Sequence, residues 1–113
     1  MKSGSIGEIA TQLEFMKMGY EVYSPATDNA RYDFIAHKDG KLYKVEVKST
    51  SRKVRDVWKV QLKKVHSNRS SNRIANFDNT LVDFLAVYIE PLEKVIILKA
   101  KDVTSKTEFS LRI

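Results

Sequence analysis

The spacing of hydrophobic residues in this chain of 113 residues changes from a helical period to a strand period near residue 20. Between residues 5 and 18, apolar side chains recur every three or four positions, as in an amphipathic helix. Ser5 followed by Glu8 matches a capping box, and Gly19 is typical of the residue that follows a helix end. We therefore predict a helix over residues 5–18, with an apolar stripe formed by Ile6, Ile9, Ala10, Leu13 and Met16.

From residue 20 onward, apolar residues alternate with polar ones, which is the period of a β-strand. Residues 20–23 form a short β-prone run. Residues 32–37 and 42–50 form two longer runs, and Asp39-Gly40 between them favours the type I′ turn of a tight hairpin. Further strands are predicted at 57–62, 81–89 and 94–99.

The segment from His66 to Asn76 is rich in Ser, Asn and Arg. This composition predicts a flexible loop or an irregular helix that orders on contact with a partner. One helical turn is indicated near Asp102 to Lys106. The order of elements predicts an α/β fold, in which an N-terminal helix precedes a mixed β-sheet with a basic loop or helix insertion. With 42% hydrophobic residues, we expect residues 1–113 to form a single domain.

The composition excludes several kinds of protein. The chain has no cysteine, so disulfide stapling, thiolate catalysis and cysteine-ligated zinc are ruled out. No segment has the length of apolar residues that a signal peptide or a membrane span needs. We therefore expect a soluble, cytoplasmic protein that does not interact with a membrane.

The positive charge is concentrated in one segment. Residues 51–76 carry eight basic residues and one acid, a net charge of +7, whereas the rest of the chain has 12 basic and 13 acidic residues. Such a stretch predicts a polyanionic partner, above all DNA, although a solvated loop is the simpler alternative. The residues expected to contact DNA are Arg52, Lys53, Arg55, Lys59, Gln61, Lys63, Lys64, Arg69 and Arg73.

The strand at residues 42–50 contains the chemically informative pattern. Alternation places Glu46 and Lys48 on one face, directly after a hairpin whose first strand opens with Asp33. The Glu-X-Lys triplet alone carries little weight, since this composition yields roughly one by chance. Two carboxylates held close together on adjacent strands repel each other unless a cation, a proton or a basic side chain offsets their charge. Among cations, carboxylate oxygens suit Mg²⁺ or Mn²⁺.

Three sequence motifs together resemble the PD-(D/E)XK nuclease superfamily. They are Gly-Ser-Ile-Gly-Glu8 on the first helix, Tyr32-Asp33-Phe-Ile, and Val45-Glu46-Val-Lys48. Their order and spacing are most similar to the homing endonucleases encoded in group I introns, over roughly residues 4–99. The resemblance implies a restriction-endonuclease-like core and the hydrolysis of DNA phosphodiester bonds.

The resemblance also implies a role for each site residue. Asp33 and Glu46 would bind the divalent metal, with the backbone carbonyl of Val47 as a further ligand. Lys48 would position and activate the attacking water, and Glu8 would reach the metal directly or through water. The implied cofactor is Mg²⁺, with Mn²⁺ as a substitute. Because one small domain cuts only one strand per encounter, we expect a homo-oligomer, either a dimer or a tetramer.

The sequence departs from the family pattern at two positions and leaves alternatives open. Tyr32 stands where the motif name has proline, and Glu46 stands where the intron-encoded group tends to have glutamine. Glu8 alone could serve only as a capping residue, and Glu46 with Lys48 could be a surface ion pair. The archaeal Holliday junction resolvases share the same core. A nucleic-acid-binding module without catalysis is a further alternative, which steeply salt-dependent binding without cleavage would identify.

Overall fold

The chain forms one long helix and a series of short strands. The computed structural model describes residues 3–27, 30–67 and 72–113. Within them, helix α1 spans Ser3–Lys17. The strands are β1 (Glu21–Tyr23), β2 (Phe34–Lys38), β3 (Lys41–Thr50), β4 (Lys53–Val54), β5 (Val57–Gln61), β6 (Lys64–Ser67), β7 (Asn72–Ala75), β8 (Phe84–Ile89), β9 (Lys94–Lys99) and β10 (Glu108–Leu111). Short 3₁₀ turns occupy Glu90–Leu92 and Ala100–Asp102.

The main sheet has five strands in the order β1-β2-β3-β8-β9. Strands β3 and β8 pair in parallel, and every other pair in this sheet is antiparallel. A second sheet has the order β10-β5-β4, and β6 pairs with β7. The predicted α/β fold, with an N-terminal helix and a mixed sheet, is therefore confirmed. Within the described residues, no helix is long and apolar enough to cross a membrane.

The hairpin between β2 and β3 is the one that the sequence predicts. Lys38 pairs with Lys41, which leaves Asp39 and Gly40 as a two-residue loop. Both loop residues have positive φ angles, 53° and 77°. Two consecutive positive φ values define the type I′ turn, whose twist matches that of the strands it joins. The turn therefore fixes the register of β3, and with it the face to which each β3 side chain points.

The main sheet lies between α1 on one face and the second sheet on the other. On the helix side, Phe15 packs against Phe34, Val45 and Ala86. On the opposite side, the core contains Leu85 and Val87 of β8 with Trp58 and Val60 of β5. Since side chains alternate along a strand, each β3 residue faces either α1 or the second sheet.

The orientation of α1 differs from the one expected for an amphipathic helix. The residues that face the sheet are Gly7, Thr11 and Phe15, all of them buried. Ala10 is half-buried, and the other members of the predicted apolar stripe, Ile6, Ile9, Leu13 and Met16, are exposed. Small residues at positions 7 and 11 let the helix backbone approach the sheet closely. The helix begins at Ser3, so Ser5 lies inside its first turn and not at the N-cap that a capping box requires.

Two further local predictions are wrong, and one strand was not predicted. The described parts of the segment from His66 to Asn76 are strands, not a flexible loop or an irregular helix: β6 and β7 pair from Lys64↔Ala75 to Ser67↔Asn72. Residues 68–71 lie outside the described residues. The helical turn predicted near 102–106 lies instead at Ala100–Asp102. Strand β10 was not predicted, because its pairing with β5 is a contact between distant parts of the chain.

Candidate active site

Strands β2 and β3 separate at one end of the main sheet, and we call this place the fork. Their paired residues end with Phe34↔Val45, while β3 continues beside β8 as far as Thr50. Asp33 lies at the point of separation. Its backbone N–H donates to the carbonyl of Val45 at 2.8 Å, and its carboxylate Oδ2 accepts a hydrogen bond of 2.6 Å from the N–H of Val47. The Asp33 carboxylate is therefore fixed against β3 between the positions of Glu46 and Lys48.

Glu46 and Lys48 point to the face of the sheet that is opposite α1. Their register partners on β8 are Leu85 and Val87, which belong to the core under the second sheet. Glu46 is only 6% exposed, and Lys48 is half-buried. Burying a carboxylate is costly unless a cation or hydrogen-bond donors compensate it. The alternative of a surface ion pair on a solvated sheet face is therefore excluded for Glu46.

Glu8 lies on α1, in the helix layer. Gly7 precedes it and lies so close to β3 and β8 that a Cβ atom there would overlap the Ser49 hydroxyl and lie 3.2 Å from Tyr88 Cβ. This contact holds Glu8, which is half-buried, level with the last residues of β3. β2 pairs with β3 only as far as Val45. The fold thus places Asp33 beside the β3 pair, and it places Glu8 on α1 next to Gly7, which contacts Ser49.

The donor set at the fork consists of carboxylates. Among the described residues, no three histidine, cysteine or acidic side chains are grouped so that they could hold a metal ion. Asp33 and Glu46 supply two carboxylate groups, which are hard oxygen donors of the type that Mg²⁺ and Mn²⁺ prefer. The backbone, water and a substrate are further sources of oxygen donors for an ion.

Two residues that position the site were missed by sequence reasoning. Asp83 accepts a hydrogen bond from the Lys44 N–H through its Oδ2 at 2.8 Å and donates its own N–H to the Lys44 carbonyl, also at 2.8 Å. This double contact sets the parallel register of β8 on β3. Gly7 is the second such residue, and a glycine inside a helical pattern is the signal that could have indicated a close backbone approach.

The predicted DNA-contacting residues begin directly after β3. Thr50, at the end of β3, donates its hydroxyl to the Lys59 carbonyl on β5 at 2.5 Å. Several of the basic groups have intramolecular contacts: Arg52 pairs with Glu108 at 3.2 Å, and Lys59 donates to Ser110 Oγ at 2.8 Å. The Lys53 ammonium lies 5.5 Å from the centre of the Trp58 ring.

The structure describes some of the remaining predicted DNA-contacting residues fully and others only in part. Arg55 lies in the turn after β4 with a φ of 58°, and it is exposed, as are Gln61 and Lys63. Lys64 and Arg73 lie on β6 and β7, but their side chains are outside the described residues, and so is the whole of Arg69. The exposed members of this predicted set that the structure describes thus lie on or next to the second sheet.

The fold and the fork define an endonuclease of the PD-(D/E)XK class. The whole chain, residues 1–113, matches the family model described as PD-(D/E)XK endonuclease, so the protein belongs to this family. Members of the family generally use divalent metal ions. The resemblance predicted from the three motifs is therefore confirmed.

Two individual proteins are similar over most of the chain. The structure of the bacterial homing endonuclease I-Ssp6803I superposes with a TM-score of 0.81 at 26% identity, covering 97% of this chain and 76% of that one. Protein 5.3 of Escherichia phage T7 is 30% identical over 106 residues, which is 93% of this chain and 84% of that protein. The homing endonuclease has the fold that the spacing of the motifs predicts.

Proposed function

We propose that the protein is a magnesium-dependent DNA endonuclease that hydrolyses phosphodiester bonds at the fork, and that it acts at selected sites as a homing-type enzyme. The observation that carries the proposal is the hydrogen bond from Val47 to Asp33. It fixes one carboxylate beside a strand that presents a buried carboxylate and a lysine on one face. In this proposal residues 1–113 form a single nuclease domain, and the substrate lies along the basic second sheet.

The residues at the fork fit a divalent cation. Asp33 and Glu46 would hold it, with the Val47 carbonyl as a further oxygen donor and Mn²⁺ as a substitute ion. Glu8 would reach the metal directly or through water. When bound, Mg²⁺ supplies Lewis-acid polarisation of the scissile phosphate and lowers the pKa of its water.

Lys48 has the task of orienting the nucleophile. Its ammonium is a compact charge with three donors, so it can hold the attacking water by hydrogen bonding and stabilise the negative charge that develops on the phosphorus oxygens. The neighbouring Glu46 is buried, so its surroundings exclude most water and have a low dielectric constant, which strengthens these electrostatic interactions. The hydrogen bond from Val47 keeps Asp33 in one orientation before substrate arrives, which reduces the reorganisation needed at the transition state.

The first test is cleavage of supercoiled plasmid in Mg²⁺ and in EDTA. Lys48→Ala is compared with Lys44→Ala, because both lysines are on β3, on the same face and four residues apart. Asp33→Asn is compared with Asp39→Asn, which removes the same charge at the tip of the hairpin. We expect Mg²⁺-dependent nicking or linearisation by the wild type and both controls, and a loss of at least about 100-fold in Lys48→Ala and Asp33→Asn.

Equal cleavage by Lys48→Ala and Lys44→Ala would contradict the assigned site, even if the protein proved to be a nuclease.

A substrate panel then tests the specificity. A randomised duplex library should yield cuts at a defined sequence, whereas cleavage confined to four-way junctions would identify a resolvase. Binding without cleavage in any divalent ion, on plasmid, library and junction alike, would overturn the catalytic proposal. Ca²⁺ should support binding without turnover.

A further inference from the structure

A row of polar side chains crosses the outer face of the second sheet. Trp58 of β5 is buried in the core, so its neighbour Lys59 points to the opposite side of the strand. The register partner of Lys59 on β10 is Ser110, and on its other side the Lys59 N–H donates to the Arg52 carbonyl at 2.9 Å. We call Arg52, Lys59 and Ser110 the outer row. Glu108 lies two residues before Ser110 on β10 and therefore on the same face.

Strand β10 supplies a partner to each cation of the outer row. Arg52 Nη1 lies 3.2 Å from Oε2 of Glu108, and Lys59 Nζ donates to Ser110 Oγ at 2.8 Å. The Arg52 side chain is 64% exposed and that of Glu108 is 36% exposed, so solvent reaches their ion pair. An ion pair in such a position is weak, because water screens both charges. A second anion can therefore replace Glu108 at Arg52 with little loss of folding stability.

Arg52 is close to the strand that carries the candidate catalytic pair. It is the second residue after β3, and Lys48 lies four residues earlier in the chain. At no more than ~3.4 Å per residue, their two Cα atoms are within about 14 Å of each other. Duplex DNA carries one charge per ~1.7 Å of its axis, so DNA bound at the fork has phosphates within reach of Arg52. A guanidinium binds a phosphate and a carboxylate in the same two-pronged geometry.

We propose that Glu108 competes with DNA for Arg52, and that this internal competition limits the affinity of the protein for DNA. It rests on the proposed function, because the competing ligand is the DNA that lies along the second sheet. In the free protein Arg52 binds the Glu108 carboxylate. In the complex it binds a backbone phosphate, and Glu108 is released to solvent. Since phosphates occur in DNA of every sequence, Glu108 sets the strength of non-specific binding.

The two cations of the outer row differ in what a phosphate must replace. The Ser110 hydroxyl beside Lys59 is neutral, so a phosphate that binds Lys59 replaces only a neutral hydrogen-bond partner. At Arg52 the phosphate replaces a carboxylate, and the attraction between Arg52 and Glu108 is lost. The cost of the exchange therefore arises at Arg52, and the charge of Glu108 is the property to change.

Fluorescence anisotropy with a labelled DNA duplex in Ca²⁺ at low salt measures the competition. Glu108→Gln keeps the size of the side chain and removes its charge, so it should bind about two- to fivefold more tightly than the wild type. Glu14→Gln is the matched control, because Glu14 lies on α1, across the main sheet from β10. An affinity of Glu108→Gln no higher than that of Glu14→Gln would overturn the proposal.

A cycle of variants with Arg52→Gln distinguishes competition for Arg52 from a general effect of charge. Arg52→Gln alone should weaken binding. In the Arg52→Gln background, Glu108→Gln should lose most of its gain, since the cation for which Glu108 competes is absent. A gain of the same size in both backgrounds would overturn the competition, because Glu108 would then act on DNA independently of Arg52.

The dependence of binding on salt reports the same exchange. A phosphate that is neutralised by a free cation releases its counterion, so affinity falls as salt rises. In the wild type, salt also weakens the ion pair that must be broken, which offsets part of this fall. The slope of log affinity against log salt should thus be steeper in Glu108→Gln than in the wild type, by at most about 0.9. Equal slopes would contradict the exchange at Arg52.

These binding measurements require no cleavage, so they do not depend on catalysis at the fork. A protein that binds DNA but never cleaves it would contradict the nuclease, and the cycle with Arg52→Gln would still decide the competition. A nuclease whose DNA affinity is the same in Glu108→Gln and Glu14→Gln would contradict only the competition. A protein without affinity for DNA would overturn both.

Discussion

The N–H of Val47 donates a hydrogen bond of 2.6 Å to Oδ2 of Asp33, and this contact joins two residues that are 14 positions apart in the chain. The Asp33 carboxylate accepts the hydrogen bond that a main-chain carbonyl of a neighbouring strand would otherwise accept from the Val47 N–H. The Asp33 carboxylate thereby has a structural task in addition to the chemical one proposed for it. Two substitutions can separate these tasks.

Asp33→Asn should abolish cleavage but leave most of the stability, because its amide oxygen can still accept from Val47. Asp33→Ala should abolish cleavage and also lower the free energy of unfolding by about 1–2 kcal/mol, since the Val47 N–H loses its acceptor. Urea denaturation of both variants, with plasmid nicking alongside, makes the comparison. Equal stability of the Asn and Ala variants would show that the hydrogen bond contributes little.

Gly7→Ala should destabilise the protein by about 1–3 kcal/mol, because the added Cβ would overlap the Ser49 hydroxyl and press on Tyr88. This loss outweighs the gain of up to about 1 kcal/mol that alanine brings inside a helix. The double variant with Ser49→Ala should recover part of the loss. Thermal unfolding of the two single variants and the double variant measures the coupling. A stabilised Gly7→Ala protein would mean that α1 can move away from the sheet without cost.

Acidification should weaken the turn at residues 78–80, which follows β7. Hydrogen bonds from the hydroxyl and the N–H of Thr80 hold the pKa of Asp78 below its ordinary value of 3.8. Their stabilising contribution is complete above this ordinary value and is lost as the pH falls through the lowered one. The thermal midpoint of the wild type should therefore fall more steeply below pH 4 than that of Asp78→Asn. Parallel pH profiles would contradict this assignment.

Lys63→Ala should weaken DNA binding without changing its sequence preference, since an exposed lysine on the basic segment contacts phosphates. The slope of log affinity against log salt should become shallower by about 0.9 for each phosphate that the variant no longer neutralises. Lys101→Ala is the control, because Lys101 is also exposed but lies on the 3₁₀ turn after β9. Fluorescence anisotropy in a salt series gives both slopes, and identical slopes for the two variants would exclude Lys63 from the DNA-binding surface.

The parts of the fold that the sequence predicts correctly depend on local interactions. Asp39-Gly40 determines the turn, and the turn with the alternation of β3 puts Glu46 and Lys48 on one face. Both signals act within a few residues of one another. The identity of the carboxylates at the fork could therefore be inferred before any tertiary contact was known.

The parts that were not predicted depend on distant contacts. The apolar stripe predicted for α1 is exposed at Ile6, Ile9, Leu13 and Met16, because periodicity alone does not say which side of a helix contacts the sheet. Strand β10 forms by pairing with β5, where Phe109 lies opposite Val60, 49 positions earlier in the chain. Similarly, the register between β3 and β8 depends on Asp83, whose side chain binds a backbone 39 residues away. Such pairings have no signal in the local sequence.

Alternate side chains of β3 contact different layers, α1 on one face and the second sheet on the other. The number of residues in this strand is therefore constrained as well as their identity. Deleting or inserting one residue between the hairpin turn and Val45 would turn Glu46 and Lys48 toward α1 and their neighbours toward the second sheet, although the composition of the strand would hardly change. A substitution alters one side chain, whereas such a frame shift moves both Glu46 and Lys48 to the helix side. We therefore expect related nucleases to vary in length around this hairpin far less than they vary in sequence.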